Sequence, residues 1–266
     1  MSVEQVVQPR NRPAAESCSH ATIGDLRFRA LLPAAQWESL NPCVRRRFSK
    51  RLADGATVVY VGETREIWMS PAGWFLAQAA RLVGGPLPTS RDTHVPTFVT
   101  VTEDMRTGGQ IWTRLYARRS GFPQVIHSSK RFAGPTGLEE YVGFGICMAL
   151  TIHAEGPTLA FRSAGYCLHA FGSRLKLPQW ASPGALTVTH TDNGDGSFVF
   201  SLELVHRRFG VLIRQSAVYR EALHDLQRAP GSRYADGSGR AEQPEPSEGA
   251  LVVRDGAARF QPSTSS

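Results

Sequence analysis

The sequence is poor in lysine, in cysteine and in long apolar runs, and each shortage excludes something. Lys50, Lys130 and Lys176 are the lysines, so arginine carries nearly all of the basic charge behind the net +7. Arginine alone can still release counterions from a nucleic acid, and the clusters at 45–51 (RRRFSKR), Arg118-Arg119, Lys130-Arg131 and Arg207-Arg208 invite that reading. No aromatic ribonucleoprotein strand and no zinc finger accompanies them, so a solvated basic surface is preferred and nucleic acid is an unlikely partner. No stretch approaches the roughly 18 apolar residues of a membrane-spanning helix, and residues 1–20 hold no apolar run of signal-peptide length. These shortages lead to the expectation of a cytoplasmic protein.

The four cysteines, Cys18, Cys43, Cys147 and Cys167, stand singly, without the paired spacing of a zinc site or redox motif. Reduced structural thiols are expected, and the strand parity of Cys147 and Cys167 leaves a disulfide between them conceivable. The eight histidines form no zinc-like motif of paired ligands, so neither a metal nor a cofactor is expected. His127, His169 and His190 are individually possible bases, though each reads equally as a satisfied strand residue. There is no nucleophile elbow, phosphate loop or dinucleotide fingerprint; GFGICMAL at 143–150 lacks the third glycine and sits inside a strand run.

What is present is a change of period. Residues 1–23 are polar and proline-containing and read as a disordered leader. Residues 24–55 place Leu26, Phe28, Leu31, Leu32, Trp37, Leu40, Val44, Phe48 and Leu52 at helical spacing, with breaks at Pro33 and Pro42 and a terminator at Gly55. Residues 56–69 are β-branched and aromatic and predict a strand or hairpin. Ser70 then caps a helix with Pro71 at its first position and an apolar face of Trp74, Phe75, Ala79 and Leu82, closed by Gly84-Gly85.

From Pro96 to about Glu221 the apolar residues alternate, and glycine-rich turns separate the segments. The richest turn, Asp192 to Gly196, does not fit a calcium loop: from Asp192 the ligand positions fall on Gly194 and Gly196, and from Asn193 the obligatory glycine falls on Phe198. It predicts a tight hairpin turn. The pattern predicts an α+β fold with a strongly curved antiparallel sheet or barrel of about eight or more strands and N-terminal helices packed against it. A single domain is expected over 24–225. A disordered tail is expected over 226–266, relieved by a weak strand at 250–255.

Alternation also sorts candidate residues by face. Trp112, Arg114, Tyr116 and Arg118 share one face, where aromatics between guanidiniums suit a planar or anionic ligand, or equally form a surface ladder. Glu139 and Glu140 follow a turn; a carboxylate entering the sheet there is either a general base or the partner of an arginine such as Arg114 or Arg131. Phe198, Phe200, Leu202 and Leu204 lie opposite a face holding Glu203.

The order of GGQIWTRLYARR, GLEEYVGFG, LAFRSAGYCL, SRLKLPQWASPG and DGSFVFSLELVHRRFGVLIRQSAVY resembles the bacterial family called domain of unknown function 4166, over roughly residues 25–221. The matching positions are Trp112 and Arg114, Glu139 after Gly137-Leu138, Arg174 ahead of Leu177-Pro178, and the hairpin from Gly196 to Phe200. RRFG at 207–210 departs from the more usual proline-containing turn. The resemblance implies a domain found alone or fused behind saccharopine-dehydrogenase-like reductases, and it supplies no reaction. It makes a lipophilic small molecule and a reductase the implied partners. The leading expectation is an accessory domain that encloses a hydrophobic or amphipathic small molecule, with Trp112, Arg114, Glu139 and Arg174 at the site. The alternatives are an enzyme using Glu139 as acid or base, and a basic nucleic-acid-binding module.

Overall fold

The computed structural model describes residues 24–52 and 57–222. The leader expected over 1–23, the terminator at Gly55, the tail over 226–266 and its strand at 250–255 lie outside the described residues. The helical spacing near the start resolves into α1 (Arg27–Ala30), α2 (Ala34–Ser39) and α3 (Pro42–Phe48). Pro33 and Pro42 fall where the sequence puts breaks, each at the entry to the next helix. Asn41 caps α3 by accepting the Cys43 amide on its side-chain oxygen at 2.8 Å.

Residues 57–69 form one long strand, β1 (Thr57–Met69), rather than a hairpin. It leads into α4 (Pro71–Ala80), whose cap is the one expected: the Gly73 amide donates to Ser70 Oγ at 3.0 Å. Ten further strands follow: β2 (Pro96–Asp104), β3 (Gly109–Tyr116), β4 (Gln124–Arg131), β5 (Glu139–Gly143), β6 (Ile146–Glu155), β7 (Thr158–Ala170), β8 (Ser173–Lys176), β9 (Ala185–Asp192), β10 (Ser197–His206) and β11 (Gly210–Glu221). β1 to β7 pair in chain order, β7 pairs β9, and β9, β10 and β11 lead back to β1. Because β9 pairs β7 and β11 pairs β1, the sheet closes on itself as a ten-stranded antiparallel barrel, with β8 attached to the outside edge of β7. Closure leaves no long unpaired edge among the ten strands.

Two local readings of the sequence are corrected. GFGICMAL at 143–150 does not sit inside one strand run: the chain turns back at Gly143, Phe144 and Gly145, all with positive φ (117°, 48° and 81°). Phe144 hides the turn because an aromatic residue at positive φ carries no turn signal. The expected apolar face of α4 is also wrong. Trp74, Phe75 and Leu82 are exposed, whereas Gly73 and Ala77 are buried. Gly73 sits so close to β11 that a Cβ there would fall 2.0 Å from the Leu212 carbonyl oxygen. The helix therefore docks through its smallest residues, and the large ones are left outside.

The turn at 193–196 is the hairpin the sequence predicts. Gly194 and Gly196 both have φ of 80°, and the Ser197 amide donates to Asp195 Oδ1 at 2.9 Å.

Helices α1 to α3 close one part of the barrel interior. Phe28, Trp37, Leu40, Val44 and Phe48 pack on Leu138, Met148, Leu150, Leu159 and Phe161 from the strands. Burial of each such side chain contributes about 1.5–3 kcal/mol. Arg27 holds this layer in place by pairing with Asp25 at 2.7 Å and donating to the Gly108 carbonyl between β2 and β3. The basic cluster of α3 is largely neutralised by this docking. Arg45 pairs with Glu38, Lys50 with Glu221, and Arg47 is buried against Asp192 at 2.7 Å.

Candidate functional site

Alternation along a closed barrel sends every second side chain inward, and the layer of α1 to α3 fills only part of that interior. Between it and α4 lies a cavity of about 540 Å³. Its walls are mostly apolar: Leu76 and Val83 beside α4, Met148 and Phe161 from β6 and β7, Phe200, Leu202 and Leu204 from β10, and Leu212 from β11. Phe209 lines the cavity and is 59% exposed, so the space reaches the surface there.

A polar group interrupts this wall. Trp112 and Arg114 of β3, Ser128 and Lys130 of β4, and Glu140 of β5 are inward residues of three consecutive strands. The register sets Arg114 opposite Ile126 and Lys130 opposite Glu140, which brings the charges together. Lys130 Nζ donates to Glu140 Oε2 at 3.0 Å, and Arg114 Nη2 donates to Ser128 Oγ at 2.5 Å and to Glu140 Oε1 at 3.3 Å. Burial alone would raise the Glu140 pKa, but Lys130 and then Arg114 outweigh it and hold the carboxyl down to about 2. Burial pushes Lys130 below the ordinary lysine range despite the opposing pull of Glu140, and Arg114 pushes it the same way. Lys130 Nζ also lies 4.9 Å from the centre of the Trp112 ring.

The group carries one carboxylate against two cations. Arg114 Nε is buried without a hydrogen-bond acceptor, and so is Nε2 of Gln215, another cavity residue. Nearby, the hydroxyls of Thr97 and Tyr219 lie 3.2 Å apart, and Thr97 donates to the Leu115 carbonyl. Burial raises the Tyr219 pKa above the ordinary phenol range, so it stays a neutral hydroxyl at physiological pH. Tyr166, pushed up to about 12 by burial, does likewise.

Of the four residues singled out in the sequence, Trp112 and Arg114 line the cavity, so their shared face is interior wall. Glu139 and Arg174 lie elsewhere. Glu139 is one residue from Glu140 and so points to the opposite face of β5, where it is buried and paired with Arg174 Nη2 at 3.1 Å. Lys130 and Glu140 are the cavity charges that the sequence reading did not separate. The signal available was register: Glu140 two residues after Leu138, on the inward side of a strand. Glu203 makes an exposed ion pair with Arg214.

The three histidines also part. His127 is at the surface beside Thr113. His190 is buried among Phe48, Phe198 and Phe200, with Arg47 Nη1 3.2 Å from its Nε2. Burial, then Arg47, push His190 down to about 3, so it is a neutral core residue. His169 is exposed on β7, near two cysteines that the sequence reading treats as isolated. Cys147 and Cys167 are direct cross-strand partners, with Cα atoms 5.1 Å apart, and are joined as a disulfide in place of the reduced thiols expected.

Among the described residues no helix is long and apolar enough to cross a membrane. No curated protein matches the chain. The model of one family, described as Domain of unknown function (DUF4166), matches residues 40–218, which span α3, the cavity walls and all but the last few residues of β11. The chain belongs to that family.

Proposed function

We propose that the barrel binds one amphipathic small molecule, its apolar body in the cavity and an anionic head, such as a carboxylate, against Arg114 and Lys130. The observation that carries this reading is the charge imbalance at a buried place: two cations share one carboxylate, and Arg114 Nε is left without an acceptor. A buried donor without a partner costs about 1–3 kcal/mol, and an anionic head that accepted from Arg114 would remove that cost. The volume of about 540 Å³ suits the rest of such a molecule, since ligand cavities run from about 300 to 1,000 Å³. Trp112 and Phe161 supply flat surfaces beside the head, and Leu202, Leu204 and Leu212 an aliphatic one for the body.

This reading keeps Trp112 and Arg114 as ligand contacts and adds Lys130 and Glu140. Glu139 and Arg174 pair on the opposite face of the wall and take no part in holding the head. A cytoplasmic location and a reductase that acts on the carried molecule, as the family resemblance implies, belong to the same proposal. Native mass spectrometry of the purified protein, followed by solvent extraction, tests it. A discrete added mass, lost on denaturation and recovered as an organic acid, is the expected result. A protein that is empty and takes up no added long-chain carboxylic acid contradicts it.

A further inference from the structure

The outer wall of the barrel, behind the cavity, gathers a second set of groups. Glu139 on β5, Cys147 on β6, and Cys167 and His169 on β7 each offer a donor atom, and these four atoms all lie within 4.8 Å of one another. Register explains the gathering: Cys147 faces Cys167, His169 is two residues further on the same face, and Glu139 faces Ala149, two residues from Cys147. Glu139, Cys147 and Cys167 are buried, and His169 is on the solvent side. Tetrahedral zinc with thiolate and imidazole ligands needs donor separations of about 3.3–3.8 Å, which small side-chain rotations supply from this starting arrangement.

A further observation points to a ligand. Glu139 Oε2 is buried and makes no hydrogen bond, although the Arg174 guanidinium stands 3.1 Å away. The loop at Gly134 lies directly over this pair; a Cβ there would fall 2.9 Å from both Glu139 Oε2 and Arg174 Nη1. The charges also sum correctly. Two thiolates and one carboxylate bring −3, a divalent ion brings +2, and Arg174 supplies the remaining +1.

We propose that in the reduced protein Cys147, Cys167, His169 and Glu139 bind one zinc ion, and that the Cys147–Cys167 disulfide is the oxidised alternative to that site. A dithiol reductant of the kind that keeps cytoplasmic thiols reduced passes two electrons and two protons to the sulfurs and becomes a disulfide itself. Zinc then displaces the two thiol protons as it binds. A disulfide oxidant, the oxidised form of that reductant, reverses both steps: protons displace the ion, and the oxidant takes two electrons and two protons from the thiols to become a dithiol. The metal would tie β5, β6 and β7 together, whereas the disulfide ties β6 to β7 alone.

The test is titration of the fully reduced chain with Co²⁺, followed by displacement with Zn²⁺. Expected are one ion per chain, a thiolate-to-cobalt charge-transfer band with tetrahedral ligand-field bands, and about two protons released per ion. His169→Ala, at a solvent-facing residue, is expected to fold normally and to weaken binding at least tenfold. Cys147→Ser with Cys167→Ser is expected to abolish the charge-transfer band, and the oxidised protein to show none. Absence of the band in reduced wild type, or affinity unchanged in both His169→Ala and Glu139→Gln, overturns the proposal.

Discussion

Lys130 Nζ stands 3.0 Å from Glu140 Oε2 with both side chains buried, and Arg114 reaches the other oxygen of the same carboxylate at 3.3 Å. A charge in such a place is tolerated only because its partners are there. Replacing Glu140 by Gln leaves two cations facing each other on an apolar wall. The expected loss is about 3–5 kcal/mol, read from denaturant unfolding at pH 7. A loss under about 1 kcal/mol would mean that the group is solvated and that the cavity is wet at this end.

Gly73 decides how closely α4 can approach β11. The Cβ of Gly73→Ala would meet the Leu212 carbonyl oxygen at 2.0 Å, so the helix must lift or tilt. A destabilisation of about 1–3 kcal/mol is expected. Phe75→Ser on the exposed side of the same helix is expected to stay within about 0.5 kcal/mol. Equal effects at the two positions would contradict the docking described for α4.

His190 gives the fold a pH dependence of definite sign. Its folded pKa of about 3 lies below the unfolded value of 6.5, so the unfolded chain binds the proton first. The stability of the neutral ring is full above about pH 6.5 and is lost as pH falls toward 3, with a slope of about 1.4 kcal/mol per unit. Glu140, held at about 2 against 4.5, adds a loss of its own only below about pH 4.5. Between pH 6.5 and 4.5 the slope therefore reports His190, and His190→Leu is expected to flatten it. An unchanged slope in that variant would place the titration elsewhere.

The basic segment of α3 supplies a test against nucleic-acid binding. Arg47 spends its charge on Asp192 and its guanidinium face on Phe198, 4.3 Å from the ring centre. Arg47→Met is expected to destabilise by about 3 kcal/mol or more, because Asp192 is left buried without its cation. Retention on heparin is expected to stay the same. A large drop in salt-dependent retention with stability intact would favour the nucleic-acid reading instead.

These tests probe different depths of what the sequence discloses. Alternation and glycine turns disclose the succession of antiparallel strands, of which the described residues hold eleven where about eight or more are expected. The β5–β6 turn is missed because Phe144 occupies a position where glycine or asparagine is usual. β8 is missed because four exposed residues leave no alternation to read. The cavity is half legible. Trp112 and Arg114 stand out as aromatic and cation on one face, but whether that face is inside depends on closure between β1 and β11, a pairing of distant segments that no local pattern encodes. Glu139 and Glu140 are neighbours of one residue type, and only register decides which faces the cavity. The union of Cys147, Cys167, His169 and Glu139 depends on the registers of the β5–β6 and β6–β7 hairpins, of which strand parity alone discloses only the conceivable Cys147–Cys167 pair.

The most direct test of the account is a calorimetric binding titration, with a long-chain carboxylic acid and its methyl ester, on wild type and Arg114→Met. Saturable one-to-one binding is expected for wild type, with the acid favoured over the ester by about tenfold or more and that preference largely lost in the variant. Equal affinity for acid and ester in wild type, or no saturable binding of either, would contradict an anion-anchored ligand in this barrel.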